Sequence, residues 1–80
     1  MSRRLPRVSI KVKEFELALV TNNYNQAEFA NLINVSSSYI SSIKYPEKTS
    51  AFPSSYVRAK ILDALGRGYK FDDIFYVYDA

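Results

Sequence analysis

The sequence predicts a mostly α, compact five-helix bundle with a short antiparallel strand pair formed by the two termini. Three observations predict it. Apolar residues recur at helical spacing through the middle of the chain, as in Val57, Ile61, Ala64 and Leu65. Asn, Ser and Pro stand between those stretches, where helix caps and stops belong. Period-two alternation occurs near the start, where Val8, Ile10 and Val12 interleave with Ser9 and Lys11, and strand-forming residues return at Tyr76, Val77 and Tyr78.

Each element follows from its residues. Residues 8–12 read as a half-buried strand. A first helix follows over about 13–21, with Phe15, Ala18 and Leu19 at i, i+3 and i+4. Asn22 and Asn23 can end it, because Asn tolerates the left-handed conformation. Asn25 reads as an N-cap, with Glu28 as its capping-box partner. The second helix runs over about 26–33, with Phe29, Ala30, Leu32 and Ile33 as its apolar face. Asn34 breaks it, and Ser36 can cap a third helix from Ser37 to Lys44 or Tyr45. Pro46 ends that helix and opens a polar loop over 45–53. A fourth helix starts after Pro53 at Ser54 or Ser55 and reaches Leu65, with Gly66 suited to the position just beyond. "FDDIF", residues 71–75, makes one last helical turn with acids at its N-terminal end. Residues from about 75 to 79 then extend. Their natural partner is the 8–12 strand, because a lone strand is not stable.

Composition narrows the function. Eighty residues make a single domain, numbered 1–80, able to bury roughly 60% of its unfolded surface. The chain holds no Cys and no His. Disulfides and thiolate metal sites are therefore excluded, and so are the commonest general base and metal ligand. No cofactor or small-molecule ligand is expected. No apolar run nears the roughly 18 residues of a membrane span, and no signal peptide is visible, so the expectation is a cytoplasmic protein with no membrane partner. The net charge is +3. Its distribution is uneven: residues 1–13 carry Arg3, Arg4, Arg7, Lys11 and Lys13 with no acid, while the tail carries Asp72, Asp73 and Asp79. Residues 1–7 read as a basic arm toward an anionic partner, or more plainly as a solvated terminus.

Two short helices joined by a tight turn inside a small helical core suggest a helix-turn-helix over 26–44. The run "NQAEFANLINVSSSYISSIK" resembles the helix-turn-helix of the Cro/CI-type repressors, the XRE family. The matching features are Gln26 opening the second helix, Phe29-Ala30, Asn34-Val35-Ser36 at the turn, and Ile40 and Ile43 beyond it. Pro53-Ser54, "ILDALG" and "FDDIF" match that family's later helices, so the resemblance covers about residues 12–75. It implies a lambda-repressor-like bundle that binds double-stranded DNA and regulates transcription, of the kind common as repressors in phages and mobile elements. The residues agree with it. Ala30 is small where the helices cross. Asn34 stands where the family usually has Gly, at a position that needs positive φ. Two positions depart. The family often pairs an Arg late in the first helix with a Glu at the end of the third. Leu19 and Lys44 stand there instead, so the usual bracing of the recognition helix is expected to be missing, both partners together.

With Tyr39, Ile40 and Ile43 turned inward, Ser38, Ser41, Ser42 and Tyr45 form the opposite stripe, flanked by Ser37 and Lys44. Short side chains let a helix sit deep in the major groove, and hydroxyls reach phosphates or base edges. The plainer reading is a polar surface, and Ser36 serves chiefly as a cap. By resemblance, Gln26 binds a phosphate from the start of the second helix, where exposed amides also favour an anion, and Tyr45 touches the backbone. Lys44 and Lys48 can add phosphate contacts. Arg3, Arg4 and Arg7 can track the backbone or enter the minor groove. Tyr24 and Tyr56 are expected at the core rim.

Enzyme chemistry finds no footing: Glu14 and Glu16 do not share a helix face, and there is no Gly-rich phosphate loop. The competing reading is a protein-binding module on the same scaffold, an antirepressor or the docking partner of a larger regulator. A DNA reader should be basic around the third helix, whereas a docking module should expose an apolar patch. Exposed strand edges could also recruit a second copy, giving a homodimer.

Overall fold

Short polar side chains set several of the helix boundaries. The computed structural model describes residues 7–66 and 68–78. In chain order these form β1 (Arg7–Ile10), α1 (Val12–Thr21), α2 (Gln26–Leu32), α3 (Ser37–Lys44), α4 (Pro46–Thr49), α5 (Ser55–Leu65), α6 (Phe71–Ile74) and β2 (Phe75–Tyr78). The Asn25 side chain accepts from the Glu28 N–H at 2.7 Å, and Glu28 Oε1 accepts from the Asn25 N–H at 2.9 Å, closing the capping box of α2. Ser36 Oγ accepts from the Tyr39 N–H at 3.0 Å to cap α3, and Ser54 Oγ caps α5 through Val57. Asn23 and Asn34 both adopt positive φ, at 62° and 65°, where the α1–α2 and α2–α3 turns reverse the chain.

The strand pair forms as the alternation predicts, antiparallel, with Arg7 opposite Tyr78 and Ile10 opposite Phe75. The first strand is shorter than expected. The Lys11 N–H still donates to the Ile74 carbonyl at 2.7 Å, but Val12 already begins α1. A second difference lies at Pro46. It ends α3 as predicted, yet opens a one-turn helix in place of a loop, so the described residues hold six helical segments and not five. Proline suits the first helical position because its φ is preset and its missing N–H would lack a partner there anyway. Ser50, at φ 57°, stops this turn.

The core is one apolar cluster drawn from nearly every element: Ile10, Phe15, Ala18, Leu19, Phe29, Ala30, Ile33, Ile40, Ile43, Ile61, Leu65, Ile74 and Phe75. Phe15 and Phe29 meet edge to face with centroids 5.6 Å apart, and Tyr24 adds a second such contact to Phe29 at 5.8 Å. Tyr24 thus lies at the core rim. Tyr56 does not: it is 69% exposed, with the Lys60 ammonium 5.3 Å from its ring centroid. No described helix is long and apolar enough to cross a membrane.

Candidate nucleic-acid interface

α3 divides into two faces. Ile40 and Ile43 are fully buried and Tyr39 half-buried, so the inward stripe plugs into the core as its spacing predicts. Ser38 and Ser41 are exposed on the outward face, with Ser42 half-buried and Tyr45 exposed at the C-terminal cap. Ser37, in the first turn, is half-buried, and the capping Ser36 is exposed. Ala30 is 1% exposed, and its carbonyl accepts from the Val35 N–H at 2.9 Å. The turn between α2 and α3 is thereby tied back to α2.

A polar network locks the two helices together. Gln26 Nε2 donates to the Ser41 hydroxyl at 2.8 Å, to the Ser37 carbonyl at 3.0 Å and to the Ser37 hydroxyl at 3.2 Å. Gln26 Oε1 accepts from the Lys44 ammonium at 2.8 Å. Lys44 in turn pairs with Glu16 of α1 at 2.7 Å. The usual Arg–Glu pair is absent, and a different pair takes its place. A charge pair joins the first helix to the end of α3, with the polarity reversed and the partner one helical turn before Leu19. A cation in the last turn of α3 also suits the helix dipole, which an acid there would oppose.

This network redistributes the predicted contacts. Lys44 is 9% exposed and its ammonium is committed to Glu16 and Gln26, so the structure does not place it as a free phosphate ligand. Gln26 is half-buried, and both ends of its amide are engaged within the protein. Lys48 is exposed on α4, which follows α3 directly. Arg7 belongs to β1 and not to a free arm: its guanidinium sits 5.1 Å from the centroid of Phe52, whose ring lies 5.0 Å from that of Tyr78. Arg3 and Arg4 lie outside the described residues. β1 packs against α3.

Two participants were not singled out from sequence. Glu16 looked like one of two unrelated surface acids. Its position one turn before Leu19 was the available signal. Thr49 falls in the stretch that the prolines mark as loop. Its hydroxyl donates to the Ser42 carbonyl at 2.6 Å and to the Tyr45 carbonyl at 3.0 Å, satisfying the end of α3.

Comparison with family models, curated proteins and solved structures finds no match. The chain's own chemistry thus carries the reading. The outward face of α3 is hydroxyl-rich, with Tyr45 at its end as the one exposed large hydrophobic residue. The other exposed large apolar side chains lie elsewhere: Leu17 and Val20 on α1, Leu32 on α2, Tyr56 on α5, Phe71 on α6, and Tyr76 and Val77 on β2. Among the described residues, no group of three or more acids gathers to hold a metal ion.

Proposed function

We propose that this chain is a sequence-specific double-stranded DNA-binding transcriptional regulator of Cro/CI type, acting as a repressor of the phage or mobile-element kind, with α3 as its recognition helix. The observation that carries this reading is the outward face of α3: Ser38, Ser41 and Ser42 project from a helix whose other side is seated in the core and whose ends are both capped. Small hydroxyl side chains permit close approach to the groove floor and offer donors and acceptors to base edges and phosphates. Lys48 and the basic segment from Arg3 to Arg7 supply the backbone contacts around it. Binding as a homodimer would set two copies of α3 one helical turn apart, about 34 Å, on a two-fold operator.

The test is selection from a random pool of duplex DNA at physiological salt, followed by a salt titration on the selected site. With Lys44 held internally, about four cations remain for phosphates: Arg3, Arg4, Arg7 and Lys48. The log–log slope of affinity against salt should then be roughly −3 to −4 per monomer. No enrichment of any sequence, or a slope near zero, contradicts the reading.

A second reading, docking to a protein partner such as a larger regulator, is supported by Leu17 and Val20, which are 65% and 70% exposed on α1. Under that reading, replacing both by Ser abolishes partner binding. Under the DNA reading it leaves operator affinity unchanged.

A further inference from the structure

A serine hydroxyl is ordinarily ambiguous to DNA, because it can donate or accept. We propose that the Glu16–Lys44–Gln26 network removes this ambiguity at Ser41, making its hydroxyl an outward hydrogen-bond donor that selects an acceptor on the nucleic acid. This inference rests on the DNA-binding reading and specifies which chemistry the recognition helix presents.

The Lys44 ammonium can only donate, so the atom of Gln26 facing it at 2.8 Å must be the carbonyl oxygen. Glu16, at 2.7 Å, holds that ammonium in place. The Gln26 amide therefore cannot flip without setting an NH₂ against an NH₃⁺. Its nitrogen is fixed toward α3, where it donates to Ser41 Oγ at 2.8 Å. One lone pair of the hydroxyl is then occupied. Among the described residues Ser41 Oγ donates to no protein acceptor. The nearest helical acceptor is the Ser37 carbonyl one turn earlier, which already serves the α3 ladder and Gln26 Nε2 at 3.0 Å. Ser41 is exposed, so the proton turns to whatever lies in front of α3. A hydroxyl that accepts one hydrogen bond is a stronger donor and a poorer second acceptor, and an ion pair at the head of the chain adds to this polarisation.

The recognised group is a hydrogen-bond acceptor. It is either a phosphate oxygen or an acceptor on a base edge, such as purine N7, guanine O6 or thymine O4. Cytosine N4, a donor, is disfavoured.

A mutant cycle on the selected operator tests this. Ser41→Ala in the otherwise wild-type chain should weaken binding about three- to ten-fold, the value of one hydroxyl contact. If the acceptor is a base, the loss is confined to one operator base pair. If it is a phosphate, the loss is uniform across sequences. Gln26→Glu keeps a partner for Lys44 but offers only acceptors to Ser41. It draws the hydroxyl proton inward and turns lone pairs toward the DNA. In that background Ser41→Ala should cost nothing or improve binding. The general repulsion of the added carboxylate cancels within the cycle. Lys44→Met is a second background, in which the amide is free to flip and the Ser41 effect should shrink. Thermal melts establish which variants fold.

An equal Ser41→Ala loss in wild type and in either folded background overturns the inference. That result leaves DNA binding itself standing. A wild-type chain that binds no DNA overturns the proposed function and this inference together.

Discussion

Removing Glu16 should cost more than removing the lysine it pairs with. The reason is the unequal burial of the two partners. Lys44 is 9% exposed, whereas the Glu16 side chain is 53% exposed. Glu16→Ala leaves a nearly buried ammonium with Gln26 Oε1 as its remaining partner. Breaking a fully buried pair from one side costs about 3 to 5 kcal/mol, and an exposed pair is worth about 0.2 to 1 kcal/mol. With one partner half in water, screening brings the expected loss down to about 1 to 2 kcal/mol. For a domain of this size, each kcal/mol moves the melting temperature by about 4 to 8 °C, so Glu16→Ala should melt roughly 5 to 15 °C lower. Lys44→Met removes the buried charge and leaves Glu16 to water, while its unbranched chain fills similar space. That change should lie within about 1 kcal/mol of wild type, because apolar replacement of a buried ion is often neutral. Urea and thermal unfolding followed by circular dichroism measure both. If Glu16→Ala melts with the wild type, or if Lys44→Met is the more damaging change, the pair does not brace α3 as described.

The other expectations concern the core and the strand pair. Ile40→Ala empties a fully buried site in α3 and should cost about 2 to 5 kcal/mol, while Ser38→Ala on the exposed face should stay within about 0.5 kcal/mol; a denaturant series that ranks them equally means α3 presents a different face. Ser9 is 1% exposed and its hydroxyl has no hydrogen-bond partner among the described residues, so Ser9→Ala should be neutral or stabilising by about 1 kcal/mol, and a clear loss in a melt would reveal a partner for that hydroxyl. Truncation after Phe75 removes Tyr76, Val77 and Tyr78 from opposite Ser9, Val8 and Arg7, and should lower the melting temperature by at least several degrees; an unmoved melt would deny the strand pair a structural role.

Much of the architecture could be read from local signals. Asn25 with Glu28, Ser36 before α3 and Ser54 before α5 are legible as caps because the chemistry involves neighbours three residues apart. Asn23 and Asn34 announce positive φ for the same local reason. The apolar stripes located the buried face of α3 and the turn against Ala30. Tyr56 is exposed although its ring suggests burial, because no local rule says which side of α5 meets the core. Pro46 was read as a stop, which it is. The new helical turn beyond it depends on Thr49 finding carbonyls of Ser42 and Tyr45 to bond.

The sequence by itself determined the caps of α2, α3 and α5, the buried stripe of α3, and that two alternating termini needed each other. These are properties of period, capping and composition, which act over a few residues. Only the tertiary structure decided the polar wiring of the candidate interface. Glu16 and Lys44 stand 28 positions apart with Gln26 between them in sequence, and in space Lys44 touches both of the others. Nothing local tells a lysine at the end of α3 whether it faces water or a carboxylate on another helix. That depends on how α1, α2 and α3 pack. Packing turned an expected phosphate ligand into an internal brace, because a cation brought close to an acid and an amide oxygen is held there by both, and a charge so nearly buried needs those partners.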